Sequence, residues 1–90
     1  MAILLRTDGS IETFEPEGKY LSLEQLQKAV GGYIETVTID NGNILIVNEE
    51  GKLQGLPYNA EATAVYHRIG RLNDVIVGDA VLAHISEMER

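Results

Sequence analysis

Asp40-Asn41-Gly42-Asn43 separates two stretches that favour extended backbone, residues 33–39 and residues 44–47. Asn and Gly tolerate positive φ at the centre of a two-residue turn, so the arrangement predicts a β-hairpin in mid-chain. Strand alternation puts Tyr33, Val37 and Ile39 on one face and Ile34, Thr36 and Thr38 on the other. At least part of both faces is therefore expected to be covered, with the hairpin central in its sheet.

Only 90 residues are available to supply that cover. A chain of this length is expected to form one domain, and folding buries roughly 60–65% of the surface an unfolded chain exposes. Nearly every apolar residue must then serve the core. Cysteine is absent, which excludes a disulfide framework, a thiolate zinc site and a thiol nucleophile and fits a cytosolic location. Seven Lys and Arg stand against 14 Asp and Glu, a formal charge of −7. That balance argues against direct nucleic-acid binding, which rests on cations laid along phosphates. Ile3-Leu4-Leu5 is too short for a secretory core, and no apolar stretch approaches the roughly 20 residues that span a bilayer. No membrane association is expected.

Residues 2–6 and 10–15 read as two strands, with Asp8-Gly9 as a two-residue turn and the pair near a sheet edge. In Leu21-Ser22-Leu23-Glu24-Gln25-Leu26, Ser22 can cap a helix while the Gln25 side chain reaches back to it. Leu21 and Leu26 can form a hydrophobic staple, Leu23, Leu26 and Val30 a core stripe, and Gly31-Gly32 a left-handed end. Residues 52–56 give a short extended segment weakened by Gly55. Asn59 can cap a second helix whose buried stripe is Ala62, Val65, Tyr66 and Ile69 and which ends at Gly70. Residues 75–83 read as one bent strand or a strand pair. The prediction is an α+β domain over residues 1–85, with one largely antiparallel sheet and two short helices in the order β-β-α-β-β-(β)-α-β(-β), followed by a charged, frayed tail at 86–90.

Signals for catalysis are sparse. Gly31-Gly32 follows a helix rather than a strand, so it is no phosphate loop, and Ser10, Ser22 and Ser86 lack a nucleophile-elbow context. His67 and His84 have no metal-spaced companion, and Gly51 stands where a calcium loop beginning at Asp40 needs an acid. No cofactor is expected. Residues 58–71 gather Tyr58, Asn59, Tyr66, Arg68 and Arg71, a set in which Arg could fork a phosphate and Tyr stack on a base. The same residues have a packing account, since cations near a helix C-terminus complement its dipole and Tyr66 belongs to the buried stripe. The polar segment from Asn48 to Thr63, with Asn48 and Glu50, is a second candidate binding surface. Glu49, Glu50, Glu61 and Asp79 are the carboxylates an acid/base pair could draw on. Glu50 and Asp79 would support one if about 5–9 Å apart.

Three motifs stand in order: Gly31-Gly32-Tyr33-Ile34-Glu35, the run from Asn48-Glu49-Glu50-Gly51-Lys52 through Leu56-Pro57-Tyr58-Asn59-Ala60-Glu61-Ala62-Thr63, and Val75-Ile76-Val77-Gly78-Asp79-Ala80-Val81-Leu82. Together they resemble a small domain-of-unknown-function family carried by bacteriophages, plasmids and other mobile elements. The resemblance implies a phage or mobile-element accessory protein working in the bacterial cytoplasm, and it carries no catalytic residues.

The expected function is non-catalytic binding by a homo-oligomer, since a thin core gains from pairing. One form sequesters a nucleotide-like signal of host defence at Tyr58, Asn59, Tyr66, Arg68 and Arg71; the other blocks a host protein with the acidic surface. The alternatives are a small carboxylate-dependent enzyme and a structural assembly subunit.

Overall fold

The computed structural model describes residues 1–89; Arg90, the last residue of the expected tail, lies outside the described residues. The elements are β1 (Ile3–Leu5), β2 (Ile11–Thr13), α1 (Leu23–Val30), β3 (Ile34–Asp40), β4 (Asn43–Asn48), α2 (Ala60–Arg68) and β5 (Ala80–His84), followed by a 3-10 turn at Ile85–Glu87. The five strands form one antiparallel sheet in the order β2-β1-β5-β4-β3. This is the α+β fold predicted. Residues 52–55 are turns and Leu56 is irregular, so the segment forms no strand, and residues 75–79 contribute only an isolated bridge between Tyr58 and Val77.

The β3–β4 hairpin has the turn its sequence requires, with Asn41 at φ 46° and Gly42 at φ 84°. It occupies one side of the sheet rather than the centre. The centre belongs to β5, whose Ala80, Val81 and Ala83 are buried and which carries no acidic or basic residue apart from His84. β3 carries Glu35, Thr36, Thr38 and Asp40, all exposed, and such residues suit an edge. The β1–β2 turn differs from the two-residue form. Gly9 N–H donates to the Arg6 carbonyl and Arg6 N–H to the Ser10 carbonyl, and of Asp8 and Gly9 only Gly9 has positive φ. That is a three-residue loop closed by a glycine bulge. The Asp8 carboxylate bonds Ser10 N–H and hydroxyl, while Asp79 accepts from Thr7 N–H. These contacts hold Asp8 where a right-handed conformation suffices.

Side-chain alternation splits the core in two. Leu4, Ile44, Ile46, Val81 and Ala83 pack under α1 with Leu21, Leu26 and Val30. Leu5, Leu45, Val47 and Ala80 pack under α2 with Ala62, Tyr66 and Ile76. At α1, Ser22 Oγ accepts from Gln25 N–H at 3.1 Å and Gly31 closes the helix at φ 81°. The Gln25 side chain does not return to Ser22. It is buried, donating to the Glu15 carbonyl and accepting from Glu17 N–H, so it clamps the loop before the helix. Leu23 is exposed and takes no part in the stripe, which Leu26 and Val30 supply.

The segment after β5 is docked rather than frayed. Leu21 N–H donates to the Glu87 carbonyl, Glu89 N–H donates to the Leu21 carbonyl, and Met88 packs on the α1-side core. His84 caps the 3-10 turn, its Nδ1 accepting from Ser86 N–H while Glu87 accepts from His84 N–H. The N–H groups of His84, Ile85 and Ser86 at the start of that turn thus find partners.

Candidate binding groove

Two of the residues expected at a binding surface serve the fold instead. Asn59 is fully buried. Its Oδ1 accepts from Ala62 N–H as the cap of α2, and its Nδ2 donates to the carbonyls of Leu5 and Gly78 at 2.9 and 2.8 Å. One turn later, Thr63 Oγ1 bonds both the N–H and the carbonyl of Ile76. Together they pin α2 to β1 and to the segment entering β5. Asn48, also buried, donates from Nδ2 to the Val30 carbonyl and accepts at Oδ1 from Glu50 N–H, tying the α1 C-terminus to the turn after β4. No polar atom of Asn59 is left for a ligand, and Asn48 is committed in the same way.

The Arg/Tyr cluster is divided. Tyr66 is buried in the α2-side core with the Arg71 guanidinium 5.5 Å over its ring, a cation–π contact that occupies both. Arg68 lines a different cavity from Tyr66. Tyr58 is exposed and lines neither, and its backbone bridges to Val77. Glu50 and Asp79 also share no cavity: the Glu50 side chain is exposed in the turn after β4, while Asp79 bonds Thr7 N–H and lies 3.5 Å from the Arg6 guanidinium.

What the structure does assemble is an open groove of about 420 Å³ on the α2 side of the sheet. α2 starts at the β1 carbonyl held by Asn59, and by Tyr66 it has reached a hollow shared with Val37 of β3 and Val47 of β4. It therefore crosses the strands and covers one strip of the sheet face. The uncovered strip beside it is floored by Ile3, Leu5, Ile11, Ile39 and Leu82 and walled by Val65 and Ile69. Asp40, Glu61 and Glu87 set three carboxylates on the lining against Arg68, with Glu87 3.6 Å from the Met1 amino group. His84 also lines it, its Nε2 bonded to the Asn41 carbonyl and its Nδ1 to Ser86.

A second, smaller hollow of about 150 Å³ lies between β3 and the residue 74–77 segment. Lys52 and Asp74 form an ion pair across it. The Lys52 ammonium, helped by Val75 N–H, holds the Asp74 carboxyl below its usual range, and Asp74 in turn raises the Lys52 ammonium above its own. Among the described residues, no cluster of three or more metal-ligating side chains is present, and no helix is long and apolar enough to cross a membrane.

The groove residues carried a sequence signal. Ile3, Leu5, Ile11, Ile39 and Leu82 all fall on alternating strand positions, whereas the nine-residue α2 is about 13 Å long and covers a single strip. The surplus of aliphatic strand positions over helix area was legible, though the strand order that gathers them was not.

A family model described as Domain of unknown function (DUF3846) matches residues 1–90. No curated protein and no solved structure matches the chain.

Proposed function

Since the chain belongs to the DUF3846 family, a domain of unknown function, we propose, on the resemblance its three motifs carry, that it is a non-catalytic accessory protein of a bacteriophage or other mobile element. In this reading it acts in the bacterial cytoplasm by binding a host protein in the groove beside α2. The observation that carries the proposal is the aliphatic floor of that groove, open to solvent and rimmed by polar groups that include three carboxylates. Apolar floors with a few polar groups at the rim suit side chains of a protein partner. A nucleotide-like ligand finds less there. The groove offers one guanidinium and the Met1 amino group, the latter beside Glu87, against three carboxylates, and no Tyr or Phe on which a base could stack, while the Asn59 and Tyr66 side chains are committed to the fold.

Native mass spectrometry of the tagged chain drawn from bacterial lysate tests this directly. The expected result is a retained protein that is lost from the Ile11→Glu variant, which changes an exposed groove residue without opening the core. A retained nucleotide, or a retained protein indifferent to Ile11→Glu, would overturn the groove reading. Turnover of a substrate abolished by a single carboxylate replacement would overturn the non-catalytic one.

A further inference from the structure

The two edges of the sheet are unlike. β2 offers three residues, and its Glu12 side chain is held by the Arg6 guanidinium at 2.6 Å. β3 offers seven, Ile34–Asp40, with no Lys, Arg or Pro among them. Charged side chains (lysine above all), prolines, bulges and short length are the usual means of keeping an edge from pairing, and before the bulge at Thr38/Asp40 β3 carries only Glu35 of these.

The backbone register says which groups are free. Glu49 N–H donates to the Tyr33 carbonyl, and Ile34 lies opposite Asn48, Glu35 opposite Val47 and Thr36 opposite Ile46. In an antiparallel ladder, residues alternate between bonding the neighbour and pointing away from it. Glu35 and Val37 therefore bond β4, and the N–H and carbonyl groups of Ile34, Thr36 and Thr38 face outward with no strand beyond them.

We infer that this edge pairs with the same edge of a second copy, joining two sheets into one of ten strands about a two-fold axis at Thr36. An isologous contact needs a strand that complements itself when reversed. Centred on Thr36, the outward residues meet as Thr36 with Thr36 and Ile34 with Thr38, twice, giving about six backbone hydrogen bonds. A register centred on Val37 would carry Ile34 opposite Asp40, beyond the bulge, and forfeit the outer bonds. The chosen register also places Glu35 opposite Val37 rather than opposite its own copy, so no like charges face each other directly, and it pairs two threonines, a favourable cross-strand combination. With the axis perpendicular to the sheet, both grooves open on the same side. A single strand pair buries less than a standard interface, so the dimer is expected to be of micromolar strength and dependent on concentration.

The test is sedimentation equilibrium of the full chain from low micromolar to near-millimolar concentration, with amide exchange followed by NMR. The apparent mass should rise from one chain toward two and stop there. The Thr36 and Thr38 amides should slow with concentration while those of Glu35 and Val37 are slow throughout. Thr36→Pro removes only an outward N–H, which an edge strand tolerates, and Thr36→Lys sets two ammoniums on the axis without touching the backbone. Each should leave a folded monomer at every concentration, whereas Ile11→Glu should still dimerise, which separates this result from the fate of the groove. A wild-type chain that stays monomeric, a larger assembly, or a dimer whose Thr36 amide exchanges freely would overturn the inference.

Discussion

On one side of the sheet Leu26 has no exposed surface, packed among Leu4, Ile46 and Val81 beneath α1. On the other, Leu82 is only partly buried and lines the groove, because α2 crosses the strands to one side of it. The difference lies in what accompanies each helix. α1 is joined by Leu21 before its cap, by Phe14 and by Met88 from the docked C-terminal segment, so three stretches of chain close one face. α2 has Ile76 beside it and nothing comparable over the floor of the groove. An aliphatic face closed on one side and left open on the other points to stability resting on the first and contact with another molecule on the second.

Three substitutions probe that contrast. Leu26→Ala empties a filled site and should cost about 3 kcal/mol, read by urea unfolding; a cost as small as that of a surface change would mean the α1 face is not the firmer one. Leu82→Ala should cost less, about 2 kcal/mol, since that side chain is only partly buried beside the groove, and equal losses at the two leucines would abolish the contrast between the faces. The smallest effect belongs to Asp74→Asn, at the exposed ion pair on the α2 side. Lys52 holds the Asp74 carboxyl low, so the pair's contribution is complete above the ordinary carboxylate value and is lost as pH falls through the lowered one. The variant should therefore show a slightly flatter decline in melting temperature on acidification below about pH 4. An unchanged acid limb would show that the exposed pair contributes nothing measurable.

Local chemistry was the legible part of this fold. As caps and turns, Ser22, Gly31, Asn41-Gly42 and Asn59 act within four residues of themselves, and each forms the cap or turn that its type favours; the two distant carbonyls that the Asn59 amide also holds carried no local signal. Asp8-Gly9 shows the limit. Its local preference allows the same turn as Asn41-Gly42, but Asp79, far away in sequence, holds Thr7, and the loop takes another form. Gln25, Asn48 and Thr63 were illegible for the same reason: each bonds backbone at least eight residues distant. The candidate site followed suit. Tyr58, Asn59, Tyr66, Arg68 and Arg71 are neighbours in the chain, but helical geometry turns Tyr66 into the core and Arg68 toward the groove, whereas the groove floor comes from strands far apart in sequence.

The position of β5 has a bearing on how the protein is made. Its partners are β1, from the start of the chain, and β4, from the middle, so neither side of the sheet can join the other until residues 80–84 have been synthesised and have left the ribosome. Until then the aliphatic strands wait without their neighbours, a window in which chaperones would find them. The emergence of β5, rather than that of any earlier hairpin, is thus the moment at which this small sheet can close.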